Sequence, residues 1–157
     1  MKYFIFLSCL IMLGCTQQAD TNQGNNPRPL VSVDSLNVVF LAGWNNKDSA
    51  AIVNTLAVNA IVMNDSLIHR GINEIASQWV SGGVKVLSNI KTVSLVKEAN
   101  ETIAFDGGTY SLDLTIPDGP ILKEKGNYSL VWSKVNEKDW KLVLVHIEDI
   151  TRMPDVK

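Results

Sequence analysis

The sequence predicts an α+β fold: three N-terminal helices packed on a strongly curved, mostly antiparallel sheet, a cone-shaped α+β barrel with a pocket. Three observations predict it. From Val31 to Trp79 apolar residues recur mostly at three- and four-residue steps. From Val84 to Ile150 they form long β-type runs joined by short, turn-rich links. A short apolar run, Ala60 to Met63, interrupts the helical half.

The first helix takes Val33, Leu36, Val39 or Phe40, and Gly43 or Trp44 on one face; Ser32 or Asp34 caps its start and Asn45-Asn46 ends it. Asp48 caps a second helix reaching about Leu56. Ala60 to Met63 follow as a strand, and Asn64-Asp65-Ser66 is turn chemistry. After Gly71, the residues Ile72, Ile75, Ala76 and Trp79 define a third helix, which Ser81-Gly82-Gly83 should stop by a left-handed glycine. The strand runs are Val84 to Lys97, Glu101 to Ile116 with a bulge or kink expected at Gly107-Gly108, Asn127 to Val135, and Trp140 to Ile150. Hairpin-length links make sequential strands antiparallel neighbours. Helices tilted against such a sheet leave a cone open at one end.

Composition limits the partners. The 157 residues are 46% hydrophobic and 19% charged, with a formal net charge of -2. That suits one globular domain and excludes a strongly basic nucleic-acid binder. Cys9 and Cys15 both fall in the first fifteen residues, so the body holds no disulfide and no cysteine metal site. No H-x-x-x-H or acidic cluster suggests a metal elsewhere, and no cofactor is expected.

Residues 1–14 read as a signal peptide, with Lys2 ahead of an apolar run to Leu13 that is too short to span a bilayer. Met12-Leu13-Gly14-Cys15 resembles the bacterial lipobox, which implies that Cys15 is lipidated and that the domain sits in the bacterial cell envelope, outside the cytoplasm, held to a membrane only by lipid. Residues 16–30 are polar and read as a flexible tether. The expected boundaries are then 1–14 signal peptide, 15–30 anchor and tether, 31–152 domain, and 153–157 tail.

Trp44-Asn45 closing helix one, Asp48 opening the next, Asn59-Ala60 before the strand, Arg70-Gly71 opening helix three, and Trp132 followed by Trp140-Lys141-Leu142-Val143 resemble the nuclear transport factor 2-like superfamily. That superfamily includes ketosteroid isomerases and SnoaL-like cyclases; the resemblance covers about residues 32–150. It implies a pocket and a homodimer formed through the exposed sheet face. Isomerases of this fold use an aspartate base at the end of the first strand and a tyrosine from helix one. Counted from Asp48, those positions fall on Asn64 and Phe40, which can neither accept the proton nor donate the hydrogen bond.

The balance is therefore against an enzyme. A binding module for a small apolar or amphipathic molecule leads, lined by Phe40, Trp44, Met63, Asn64, Trp79, Tyr110 and Trp132. A cyclase or isomerase using His146, with Asp65 or Tyr110 assisting, is the alternative, and a homodimeric interaction module is the third reading. His146 shares strand parity with Trp140, Leu142 and Leu144, opposite Lys141, and looks into the cone if Lys141 faces water; Val143, Val145 and Ile147 leave the other face equally open. His69, next to the turn, is expected at the surface, with the pocket rim as its second reading, and Asp113 on the polar sheet face.

Overall fold

The computed structural model describes residues 31–137 and 139–154; the expected signal peptide, Cys15 and the tether lie outside the described residues. Helix α1 (Val33–Asn45) buries Val33, Asn37, Phe40 and Trp44, one stripe at helical spacing with a single amide in it. Asp48 caps α2 (Ser49–Thr55), its Oδ1 accepting the Ala51 N–H at 2.9 Å. Strand β1 (Leu56–Asn64) begins where α2 stops and is longer than its apolar run alone suggests.

Asp65, at φ 51, turns the chain into β2 (Leu67–Arg70), a short strand where the sequence suggests a loop. The pairing of Val62 with His69 places that histidine on an edge strand, 9% exposed, with Nδ1 3.5 Å from Glu74 Oε1. The expected surface position of His69 is thus wrong: strand pairing holds it inward. That 3.5 Å separation is an ion-pair contact if the ring is charged, but too long for a hydrogen bond, and Nδ1 has no hydrogen-bond partner.

Gly71, at φ 77, opens helix α3, which runs over residues 72–86 as Ile72–Glu74, a π-helical Ile75–Val80 and Ser81–Val86. It does not stop at Ser81-Gly82-Gly83, and neither glycine takes a left-handed φ. Gly83 has a different reason: a Cβ there would lie 2.7 Å from Trp44 Cζ3, so a bare backbone lets α3 close on the α1 tryptophan.

Four long strands complete the fold, β3 (Leu87–Ala99), β4 (Ile103–Thr115), β5 (Ile121–Lys134) and β6 (Trp140–Pro154). The last ends two residues beyond the expected domain boundary. The sheet order is β2-β1-β6-β5-β4-β3, with β1 and β6 parallel and the other neighbours antiparallel. The sheet does not close on itself. Its two edges stay apart, and the helices wall the open side.

Bulges bend the long strands and re-aim their side chains. Gly107 and Gly108 face the shift between Ser94 and Val96, so the extra residue at the expected kink is Leu95 on the partner strand. On β6, Val143 is extra between the Trp132–Leu142 and Val131–Leu144 pairs, and Ile150 is extra between the Gly126–Asp149 and Lys125–Thr151 pairs. Those two insertions decide which residues face the cone.

Ile52, Val62, Ile75, Val80, Trp132, Leu142 and Val145 are almost completely inaccessible and fill the space between helices and sheet. Each aliphatic side chain so buried contributes about 1.5–3 kcal/mol relative to exposure. A polar chain crosses this core. Trp132 Nε1 donates to Asn37 Oδ1 at 3.0 Å, Asn37 Nδ2 donates to Asp106 Oδ2 at 2.6 Å, and Tyr128 Oη donates to the same oxygen at 2.9 Å. Ser94 Oγ donates to the other Asp106 oxygen. Asp106, 2% exposed, is thereby served on both oxygens.

Candidate functional site

Between α1, α3 and the concave sheet face lies a cavity of about 170 Å³. Helix α1 supplies Phe40, Leu41 and Trp44, and the π-helical turn of α3 supplies Trp79. Strands β3 and β4 add Leu87, Ile90, Leu112 and Leu114 to an apolar wall. Trp44 stands edge-on to Phe40 at 6.2 Å and to Trp79 at 4.8 Å between ring centroids. A π-turn adds one residue to a helical turn and so rotates the side chains beyond it. Here it aims the Trp79 indole at β1, where Nε1 donates to Asn64 Oδ1 at 3.3 Å.

A polar cluster in the lining is made by β4, β5 and β6. Tyr110 Oη lies 3.1 Å from Glu124 Oε1 and in hydrogen-bond contact with Asp149 Oδ1. Arg152 Nε donates to Glu124 Oε2 at 2.7 Å and Nη2 to Asp149 Oδ2 at 2.8 Å. Asp65 Oδ1, in the β1–β2 turn, accepts the Asp149 backbone N–H at 2.9 Å. On an unbroken strand residues 149 and 152 would face opposite ways. The extra residue Ile150 puts both on the inner face, opposite Gly126 and Glu124. Gly126 lets this happen, since a Cβ there would sit 2.0 Å from the Glu148 carbonyl oxygen and 2.7 Å from Tyr110 Cε1.

Burial sets the protonation tendencies. It pushes the Asp149 carboxyl above the usual range, with the Glu124 and Asp65 charges adding to the effect against Tyr110 and Arg152. Burial, reinforced by bonds to Asp149 and Glu124, holds the Tyr110 phenol far above its ordinary value. The Glu124 hydrogen bond keeps the Arg152 guanidinium charged. Tyr128, also on the wall, is raised by burial and then by Asp106.

No protein-family model matches the chain, and no curated protein matches it in sequence. Solved structures do match. A ketosteroid isomerase-like protein from Erwinia carotovora atroseptica superposes with a TM-score of 0.67 at 13% identity, over 76% of this chain and 94% of that one. A nuclear transport factor 2-like superfamily protein from Salmonella enterica gives 0.63 at 17% identity, over 74% and 87%. A Nostoc punctiforme protein of unknown function, described as having a cystatin-like fold, gives 0.60 at 17%, over 79% and 92%. The chain has the nuclear transport factor 2-like fold.

Within this cone the expected wall residues Phe40, Trp44, Asn64, Trp79 and Tyr110 line the cavity. Met63 and Trp132 do not. Met63 precedes the inward Asn64 on β1 and therefore points to the opposite face. Trp132 is on the inner face but 1% exposed, sealed in the core with Asn37.

His146 is also outside the cavity. The bulge at Val143 shifts parity, so Val145, Ile147 and Asp149 face inward and His146, paired with Met63 and Ser129, faces away. Asp65 touches the site through the Asp149 backbone and does not line the cavity. The two positions set against isomerase chemistry, Asn64 and Phe40, both sit on the wall, so the amide and the phenyl ring occupy cavity positions.

Sequence reasoning missed Glu124, Asp149 and Arg152. The Lys123-Glu124-Lys125 alternation contained a signal: Glu124 opposes its neighbours, and on a strand whose Tyr128 and Leu130 face inward it faces inward too. Asp113 lies on the outer face as expected, bonded to Lys123 Nζ at 2.7 Å, which keeps its carboxyl low.

Proposed function

We propose that this is a lipid-anchored bacterial cell-envelope protein whose cone binds a small apolar or amphipathic molecule. The observation that carries the reading is the cavity itself: aromatic and aliphatic walls from α1, α3, β3 and β4, with polar groups confined to a few positions. Its volume of about 170 Å³ suits a body of one ring, since an apolar cavity of roughly 150 Å³ accepts benzene. Single-ring compounds should raise the thermal midpoint, by an amount that grows with concentration as expected for a ligand of the folded state. A Leu112→Trp variant, which fills the space, should abolish the shift. Equal shifts in both proteins would remove the cavity as the binding place.

The anchor rests on the Met12-Leu13-Gly14-Cys15 pattern. A Cys15→Ala variant should leave the membrane fraction, and one that stays there would count against lipidation. The outer sheet face, with Val93 at 62% and Leu95 at 75% exposed, favours a homodimer; a monomer by light scattering at high concentration would argue against it.

An enzyme of the cyclase or isomerase kind is the second reading. What favours it is the Glu124 and Asp149 pair beside an apolar cavity, the two acids joined through Tyr110 and Arg152. It does not run through His146. Loss of turnover of an enolisable compound in Asp149→Asn but not in His146→Ala would support it; the reverse pattern would defeat it.

A further inference from the structure

The polar part of the cavity is one hydrogen short. Glu124 is 5% exposed and the Asp149 side chain 15%, so neither carboxylate is freely solvated. Arg152 covers Glu124 Oε2 and Asp149 Oδ2. The remaining oxygens, Glu124 Oε1 and Asp149 Oδ1, both approach Tyr110 Oη. A phenol carries one hydrogen and serves one of them. When both acids are ionised, the other oxygen faces the same hydroxyl as acceptor against acceptor, a costly arrangement in a poorly solvated place.

Charge points the same way. Two carboxylates share one guanidinium, and the Asp65 carboxylate stands behind Asp149. The site is therefore negative and one donor short at Glu124 Oε1 and Asp149 Oδ1, while the rest of the lining, Asn64 and Thr92 apart, is aromatic and aliphatic. An anionic ligand head would meet repulsion, and a neutral acceptor would leave the crowded pair of carboxylate oxygens unserved. A cationic N–H donor supplies both the missing hydrogen and the missing charge. A metal ion is not what the geometry offers: among the described residues no group of three or more His, Cys, Asp or Glu is placed to hold one.

We propose that the cavity selects a small organic cation, an aryl- or alkylammonium whose N–H groups dock at Glu124 and Asp149 while its apolar body fills the space walled by Trp44, Trp79 and Leu112. The inference rests on the binding reading above and narrows it to a ligand class. Three probes of one shape test it on the full-length chain: benzylamine, benzyl alcohol and benzoate at neutral pH, titrated against tryptophan emission and by calorimetry. Benzylamine should bind at least roughly tenfold tighter than benzyl alcohol, and benzoate weakest of the three. Asp149→Asn should weaken benzylamine by a clearly larger factor than benzyl alcohol.

Binding of benzyl alcohol as tight as that of benzylamine, or benzoate as the tightest probe, would overturn the inference and leave the cavity reading intact. Failure of all three probes, and of toluene, to bind would overturn both. The comparison is made within the unaltered protein, so it stands even if the variant does not fold.

Discussion

Gly82 and Gly83 are adjacent, lie in one helical segment, and should respond to alanine with opposite sign. A Cβ at Gly82 meets nothing within 4 Å. The exposed helical site then gains what alanine offers over glycine, about 0.5–1 kcal/mol from reduced freedom of the unfolded chain. At Gly83 the same atom would lie 2.7 Å from Trp44 Cζ3 and 3.0 Å from Cη2, about 1 Å inside ordinary carbon contact. Trp44 has little room to yield: it is 3% exposed and set between Phe40 and Trp79. Overpacking of this kind costs about 1–3 kcal/mol, and subtracting the same helix gain leaves a net loss centred on about 1 kcal/mol. Urea unfolding followed by far-ultraviolet circular dichroism measures both variants without relying on the tryptophan signal. Gly83→Ala should also blunt any ligand response, because the displaced ring is a cavity wall. Equal stabilisation by the two substitutions would refute the close approach of α3 to Trp44, and with it the account of why the helix runs through both glycines.

The buried polar groups give two further expected outcomes. Asn37→Ala removes the 2.6 Å bond to Asp106 and leaves the Trp132 indole N–H unpartnered at 1% exposure. A buried group left unsatisfied costs about 1–3 kcal/mol, so chemical denaturation should show a loss in that range; a neutral substitution would mean that the polar chain does not cross the core as described. Asp149 has a folded-state pKa raised by burial, so the native state holds its proton more tightly than the unfolded chain. Its contribution is fully present below the ordinary carboxyl range and is lost as pH rises through the raised value. The stability of Asp149→Asn relative to wild type should therefore increase over that interval, and a pH-independent difference between the two would contradict the shift.

How legible the chain is differs by level. Helix α1 is readable because Val33, Phe40 and Trp44 repeat at helical spacing, and Asp48 announces α2 through ordinary capping chemistry. Strand β2 is not readable. Leu67 to Arg70 is four residues long and is a strand only because β1 lies beside it. The glycine pair in α3 misleads for a related reason, since a helix-stop signal and a close-packing site are the same letter. Phe40, Trp44, Asn64, Trp79 and Tyr110 can be named for the wall because large side chains on inward positions of regular elements must meet in the middle.

The sequence by itself determined the α+β class, the order of the elements other than β2 and the apolar character of the wall, because these arise from local periodicity, which each segment carries within itself. Tertiary structure alone decided the chemistry of the site. One extra residue at Val143 turns His146 away from the cavity, and one at Ile150 brings Asp149 and Arg152 round to join Glu124 and Tyr110. A bulge leaves almost no mark in composition or alternation, since it is fixed by the partner strand's register and by space such as that which Gly126 leaves for the Glu148 carbonyl. A one-residue insertion reverses every face beyond it. That is why strand parity read from the sequence leads to a histidine, while the folded sheet presents two carboxylates, a tyrosine and an arginine.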